Sequence, residues 1–299
     1  MAYTLWDAID DPSLGRVVIL SFVSIPLCVA ATIFRLVATK RSRRRFGWDD
    51  LFAVLALLGF LVYALAPFVG LAIVGDLDDE GLAILSAKLA YIVTPFFYIN
   101  QLFARGSLFI FYYRLFWKDS SFVKWIYKLA VIHVTWFIIC FFLLLFFCTP
   151  VSKWWDVLGT QPGHCLDGNA FLVSEETINS SLDFATIILT VVVIQKLRTR
   201  QYIKTKLAFI FLVGGLSGVI GFVKIVIVYQ AANTHGQEND TNAFWDILQM
   251  ATSILCVCAP MFETIIPFRG VWGFLKSSIA SWSSREAVEM EPLMQDTIA

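Results

Sequence analysis

The sequence predicts an all-α fold: a polytopic bundle of seven transmembrane helices, with the N-terminus outside and the C-terminus cytoplasmic. Three observations predict it. Hydrophobic residues make up 58% of the 299 residues and charged residues only 15%, whereas a soluble domain carries about a quarter; mean hydropathy is +0.73. The apolar residues fall in runs of about twenty or more, the length that crosses the hydrocarbon core as a helix. The roughly ten-residue alternating segments of a membrane β-barrel are absent. Finally, basic residues cluster in alternate loops, as they do when those loops stay in the cytoplasm. A net charge of zero gives no case for nucleic-acid binding.

The elements follow in order. Residues 1–15 read as a short exterior segment: Asp7, Asp10 and Asp11 with no Lys or Arg before Arg16, unlike the basic start of a secretory signal. The first helix is expected over Arg16–Ala38, with Arg35 near its inner end. Lys40–Asp50 (KRSRRRFGWDD) holds five basic residues between two apolar runs and marks the first cytoplasmic loop. The second helix is expected over Trp48–Val74, with Pro67 and Gly70 in its outer half, and the third over Ala87–Phe116 after an acidic loop. A basic loop (WKDSSFVKW) leads to the fourth helix, Ile126–Phe147. The longest loop then carries Cys148 and Cys165. Helix five is expected over Thr177–Ile194 and helix six over Leu207–Tyr229, joined by a loop with Lys196, Arg198, Arg200, Lys204 and Lys206. Helix seven is expected over Phe244–Phe268, which closes a membrane domain over residues 16–268. In the tail, 269–299, Trp272, Leu275, Ile279 and Trp282 recur at helical spacing, as in a helix lying on a membrane surface. The remainder of the tail is polar and acidic.

Two features agree with that orientation. The sequon Asn239-Asp240-Thr241 falls in an expected exterior loop and makes Asn239 a glycosylation candidate. Cys148 and Cys165 fall together in another, where an oxidising compartment favours a disulfide. Cys28, Cys140, Cys256 and Cys258 lie within helices and read as small buried apolar residues. Cys256-x-Cys258 lacks a neighbouring His or further Cys, so no metal site is expected.

Charges within the spans carry the functional expectation, because each needs a partner or a cavity in the bilayer. Asp183 in helix five and Lys224 in helix six lie at similar expected depth and are expected to pair. Asn179 shares the Asp183 face, Gln249 of helix seven faces across, and Asn100, Gln101 and Arg105 of helix three are candidates for the floor. Together they suggest a polar pocket in the outer half, or a clamp between helices five and six. Glu263 reads as a carboxylate snorkelled to the membrane surface or as an interior-side lock balanced by Arg35, Arg114 or Arg269, and Asp49 and Asp50 are expected near neighbouring arginines. Gly214-x-x-x-Gly218 in helix six allows close helix packing. No HExxH, Gly-x-Ser-x-Gly or phosphate-loop motif is present. Helix seven has no lysine for a retinal Schiff base, so light sensing is not expected and no cofactor is called for.

Several stretches together resemble the fungal rhodopsin-like integral membrane family, which includes Pth-type receptor-like proteins and the membrane proteins of satratoxin-type gene clusters. They are Arg43–Asp50 (RRRFGWDD), Arg105–Phe116, Cys148-Thr149-Pro150 with Trp154 or Trp155, Cys165, Asn179 with Asp183, Arg198–Gly215, Lys224, and Trp245–Pro260. The chain differs from the family pattern in having Arg105 for Lys, Lys224 for Arg and Gln249 for Glu. The resemblance implies one of two roles. One is a receptor-like sensor that binds a small lipophilic ligand in the outer pocket and meets a cytoplasmic partner at the Lys196–Lys206 loop. The other is a membrane-embedded accessory protein or enzyme, of cyclase or isomerase type, in secondary metabolism, with Asp183 as its acid. A transporter fits less well, since no internal repeat is visible. In each case the first partner is the lipid bilayer.

Overall fold

The computed structural model describes residues 14–41, 46–73, 79–117, 120–156, 158–196, 216–227 and 238–262. Among them are seven α-helices: α1 (Leu14–Arg41), α2 (Trp48–Ile73), α3 (Asp79–Phe116), α4 (Ser120–Leu145), α5 (Gly168–Lys196), α6 (Leu216–Ile227) and α7 (Glu238–Phe262). Between α4 and α5 lies a small hairpin of two strands, β1 (Cys148–Thr149) and β2 (His164–Cys165), with a 3-10 turn at Val151–Trp155. Among the described residues five helices, α1, α2, α3, α4 and α7, are long and apolar enough to cross a membrane, and α6 is a shorter apolar helix. The chain is a multi-pass integral membrane protein in contact with the bilayer.

The helices appear in the expected order, but several begin earlier than expected. Asp167 caps α5: its Oδ1 accepts the N–H groups of Asn169 at 3.0 Å and Ala170 at 3.2 Å, satisfying two of the donors left open at a helix start. That cap moves the start from Thr177 to Gly168. Helix α3 starts at Asp79 rather than Ala87, α4 at Ser120 rather than Ile126, and α7 at Glu238 rather than Phe244. Hydropathy marks where the membrane begins, and these helices run past it into polar residues. The 38 residues of α3 extend roughly 57 Å, well beyond a hydrocarbon core of about 30 Å. Asn239 consequently sits in the first turn of α7 rather than in a loop. Residues 197–215, Glu263 and the tail with Trp272–Trp282 lie outside the described residues.

Helix α2 pairs most extensively with α3; α1 packs on α7 and α2, α3 also on α4 and α7, and α5 on α4. Phe60, Phe97, Cys140, Ile247, Met250 and Ile254 form the main core. Ala53 and Ala56 of α2 and Ala104 of α3 meet Val257 of α7 in a second cluster, small residues that let backbones approach. The outward faces of α1 to α4 expose Phe22, Ile33, Leu58, Ile92 and Tyr127, an apolar coat that water does not tolerate on this scale and lipid covers. Cys28, Cys140, Cys256 and Cys258 are buried and lie outside the disulfide, as expected.

One end of the bundle is held by an ion-pair network. Arg35 of α1, 1% exposed, contacts Asp49 Oδ2 at 3.0 Å and Asp50 Oδ1 at 3.1 Å. Its third nitrogen donates to the Val257 carbonyl of α7 at 2.5 Å. Arg114 of α3 pairs with the other oxygen of Asp49, and Ser107 donates to the Asp49 carbonyl at 2.6 Å. Asp49 and Asp50 occupy the first turn of α2, where the helix dipole favours negative charge. The expected pairing of these carboxylates with neighbouring arginines is what forms. Three helices thus meet at one guanidinium, and α3 joins them through Asp49.

At the other end, Cys148 and Cys165 form the expected disulfide across a sequence separation of 17, in register in the two-stranded hairpin. Trp154 and Trp155 of this hairpin pack on Tyr91 of α3, at 5.7 and 5.8 Å between ring centroids. Gly163 has φ 153°, and a Cβ there would run into the Thr149 carbonyl and Pro150. Asp156 closes the tip by accepting the N–H of Gln161 at 2.7 Å and the N–H and hydroxyl of Thr160 at 3.0 and 2.9 Å.

Two outcomes are expected. Arg35→Met leaves Asp49 and Asp50 buried without their central cation and lowers stability by about 3–5 kcal/mol; Arg35→Lys restores only part, lacking the planar fork. Thermal unfolding of the purified protein in detergent reads both. The Asp156 carboxyl is held below the ordinary carboxylate range, foremost by the Gln161 N–H. A depressed folded-state value gives stability that is present above the unfolded-state value, about 4, and is lost as pH falls through the folded-state value. The melting-temperature gap between wild type and Asp156→Asn should therefore be widest near neutral pH and close below about pH 4.

Candidate functional site

A cavity of about 700 Å³ opens at the hairpin end of the bundle, lined by residues of α1 to α7 and the hairpin. Its walls are apolar: Leu85, Leu89 and Val93 of α3, Pro67 of α2, and the aromatic trio Phe147, Trp154 and Phe171. Phe147 stands edge-on to Trp154 at 5.1 Å and to Phe171 at 5.6 Å. The floor is charged, with Glu175, Lys224 and Asp246 on its lining. A volume of this size is typical of small-molecule sites, which pair apolar walls with a few convergent polar groups.

The floor is built from four helices. Lys224 of α6, 2% exposed, donates to Glu176 Oε1 of α5 at 2.5 Å and to Asp246 Oδ1 of α7 at 2.7 Å. Tyr63 of α2 donates to the other Asp246 oxygen at 2.8 Å, and Asn242 of α7 approaches it at 3.2 Å. The ammonium also sits 5.2 Å from the Phe97 ring centroid. Gly221, one turn before Lys224, lies against Ser180 and Glu176, and a Cβ there would clash with the Ser180 hydroxyl. Gly218 packs on Phe184 and the Asp183 Cβ. The described part of the glycine face on this helix therefore serves packing against α5.

A second polar cluster lies deeper. Arg105 of α3 contacts Asp183 of α5 through two nitrogens, at 2.8 and 3.0 Å, and donates to Asn179 Oδ1 at 2.6 Å. Ser217 of α6 donates to Asp183 at 3.3 Å. The expected Asp183–Lys224 pair does not form. Glu176 lies seven residues before Asp183, about 10 Å along the helix, and it is this upper level that Lys224 reaches. Arg105, read as a floor group, is instead the partner of Asp183.

The remaining expected site residues divide. Among the seven, Lys224 lines the large cavity. Gln101, Arg105 and Asn179 line a void of about 20 Å³, and Arg105 and Asp183 a second of about 40 Å³. Gln101 also accepts from Ser253 of α7 at 3.2 Å. Asn100 donates to the Ala56 carbonyl at 2.7 Å and ties α3 to α2. Gln249 is fully buried, and neither end of its carboxamide has a partner among the described residues. Sequence reasoning missed Glu175, Glu176 and Asp246. The first two were counted in a loop because α5 was started at Thr177; the available signal was Asp167-Gly168 followed by an unbroken helical pattern. Asp246 is close to the expected start of helix seven and was overlooked beside Gln249. Among the described residues no group of His, Cys, Asp and Glu side chains has the geometry to hold a metal ion.

Lys224→Met should leave Glu176 and Asp246 buried without their cation and cost about 3–5 kcal/mol. Lys224→Arg should recover most of it, provided the larger fork fits beside Phe97. Thermal unfolding with and without each variant measures this, and an unchanged melting temperature in Lys224→Met would mean the cluster contributes nothing.

With the geometry in place, comparisons with known proteins bear on identity. The chain is 35% identical over 186 residues to satratoxin biosynthesis SC1 cluster protein 4 of Stachybotrys chartarum, covering 62% of this chain and 66% of that one, just under two thirds of its length. It is 30% identical over 288 residues to wortmanamides biosynthesis cluster protein C of Talaromyces wortmannii, covering 92% of this chain and 77% of the relative. A SAT4 family membrane protein of Emericella nidulans is 23% identical over 247 residues, covering 80% of this chain and 59% of that protein. No solved structure matches the chain significantly. The fungal rhodopsin domain matches residues 34–267, and the chain belongs to the fungal rhodopsin domain family.

Proposed function

We propose that the protein is a seven-helix membrane protein that binds a small lipophilic molecule in the cavity at its hairpin end, in a receptor-like role. The observation that carries this reading is the cavity of about 700 Å³ with apolar walls and a charged floor. Its floor residues come from α2, α5, α6 and α7, so an occupant touches several helices and can bias their packing. The proposed orientation has the hairpin and Asn239 outside and Lys40 and Arg41 inside. Two things support it: the distribution of basic residues along the sequence, and the disulfide, which persists in oxidising compartments. Asn239 is proposed as glycosylated, and the Lys196–Lys206 loop as the contact for a cytoplasmic partner.

A second reading has its own support. Two of the relatives carry the name of a biosynthesis cluster, and Glu175 is a buried carboxyl on the cavity lining. In that reading the protein is an accessory protein or enzyme of cyclase or isomerase type acting on a lipophilic intermediate. Asp183 is the first candidate acid. Glu175 is the alternative, because it lines the cavity while Asp183 faces the smaller void and is held by Arg105.

One experiment separates these. Wild type and Ala90→Trp, which fills the cavity wall, are purified in nanodiscs after incubation with a fungal metabolite extract, and retained compounds are identified by mass spectrometry. The binding reading expects a compound of a few hundred daltons on wild type, reduced at least tenfold on Ala90→Trp. Retention that is equal on both proteins would rule out the cavity as the site. Recovery of a chemically altered compound, with the conversion lost in Glu175→Gln or Asp183→Asn, would favour the enzyme.

A further inference from the structure

The charges on the cavity floor do not balance, and the imbalance points to the chemistry of the occupant. Lys224 brings one ammonium, and Glu176 and Asp246 take it at 2.5 and 2.7 Å. The next carboxyl along α5, Glu175, is 6% exposed. It makes no hydrogen bond or ion pair to any described residue. It lines both the large cavity and the small void of about 20 Å³ beneath it. Arg105, which also lines that void, is committed to Asp183 and Asn179.

Lys224 and Arg105 reach Glu175 only through space, and a carboxylate with no direct ion-pair partner among the described residues is costly in an apolar surrounding. An anionic ligand makes matters worse, because the lining presents Glu175, Asp246 and a lysine already doubly paired. A neutral ligand leaves Glu175 as it stands. A metal ion finds no convergent ligand set among the described residues. A cation on an organic body meets every condition: Glu175 supplies the counter-charge, and Tyr98, Phe147, Trp154 and Phe171 on the same lining supply ring faces that attract an ammonium.

We propose that the cavity is a site for an amphipathic amine: a protonated nitrogen paired with Glu175 and a lipophilic body held among the aromatic rings. This deepens the binding reading above and rests on it. Glu175 is the specificity-determining residue, while Lys224, Glu176 and Asp246 form the ion-paired base of the floor.

The test uses matched amine, alcohol and carboxylate derivatives on two scaffolds, adamantyl and n-octyl, with the full chain in nanodiscs. Binding is read by quenching of tryptophan fluorescence and by thermal shift. The expected result is that the amine binds on at least one scaffold and the matched alcohol and carboxylate bind about ten- to a hundredfold more weakly. Glu175→Gln should lose that preference while Glu175→Asp keeps part of it. Tighter binding of the carboxylate or the alcohol overturns the amine assignment and leaves the cavity as a ligand site. An amine preference that survives in Glu175→Gln overturns the role of Glu175. Binding of none of the six compounds removes both this inference and the binding reading. The selectivity of the wild-type protein alone decides the ligand class even where a Glu175 variant fails to fold.

Discussion

The guanidinium of Arg35 occupies the position on which the rest of the bundle depends. It is buried within an apolar helix, a place where a lone charge is expensive, and it is neutralised by two carboxylates in the first turn of the next helix. Because its third nitrogen reaches a backbone carbonyl of α7, and Arg114 of α3 joins through Asp49, one buried charge fixes four helices. The hydrophobic effect cannot do this inside a bilayer, since lipid is as apolar as the helix faces. Directional polar contacts and close packing of small residues have to set the register, and here both occur together: Ala53, Ala56, Ala104 and Val257 lie alongside the ion pairs.

From that fixed end the polar groups ascend in levels. Asp49, Asp50, Arg35 and Arg114 are matched two against two. Arg105 and Asp183 are matched one against one, with Asn179 and Ser217 filling the remaining hydrogen-bonding positions. At the cavity floor Lys224 pairs with Glu176 and Asp246, and Glu175 lies on the same lining without an ion pair among the described residues. Two balanced levels stabilise the bundle, and the unbalanced one lies where the structure opens. Charge left uncompensated next to a cavity is a feature that pure structural support does not require.

Much of this was legible in the sequence. Long apolar runs give helices because every backbone group must be satisfied internally in lipid, so the order of the seven helices followed from hydropathy. The cysteines sorted themselves into one bridge in a loop and four buried thiols. Asp49 and Asp50 sat beside so many arginines that pairing was the natural reading. The expected pairing of Asp183 with Lys224 was wrong, and their actual partners were not legible. It was inferred from depth, and depth was counted from helix starts that hydropathy places too late. Nine residues separate Thr177 from the observed start at Gly168, and they include Glu175 and Glu176. Arg105, on a helix distant in sequence, was closer in space to Asp183 than any residue of helix six that was considered. Lateral neighbours across a bundle depend on helix rotation, which periodicity in a uniformly apolar helix barely encodes.

The hairpin with its disulfide has a further consequence for supply. The cavity mouth and the Cys148–Cys165 bridge share one end of the bundle, and oxidising compartments favour such a bridge. In the orientation proposed above, a compound that enters the mouth directly arrives from the lumen or the exterior. One synthesised in the cytosol must first traverse the bilayer or slide between the helices from within it. Trp154, on the cavity lining, packs on Tyr91 of α3 and so ties the hairpin to that wall. Partition into lipid, as much as affinity for the floor, would decide which molecules ever reach Glu175.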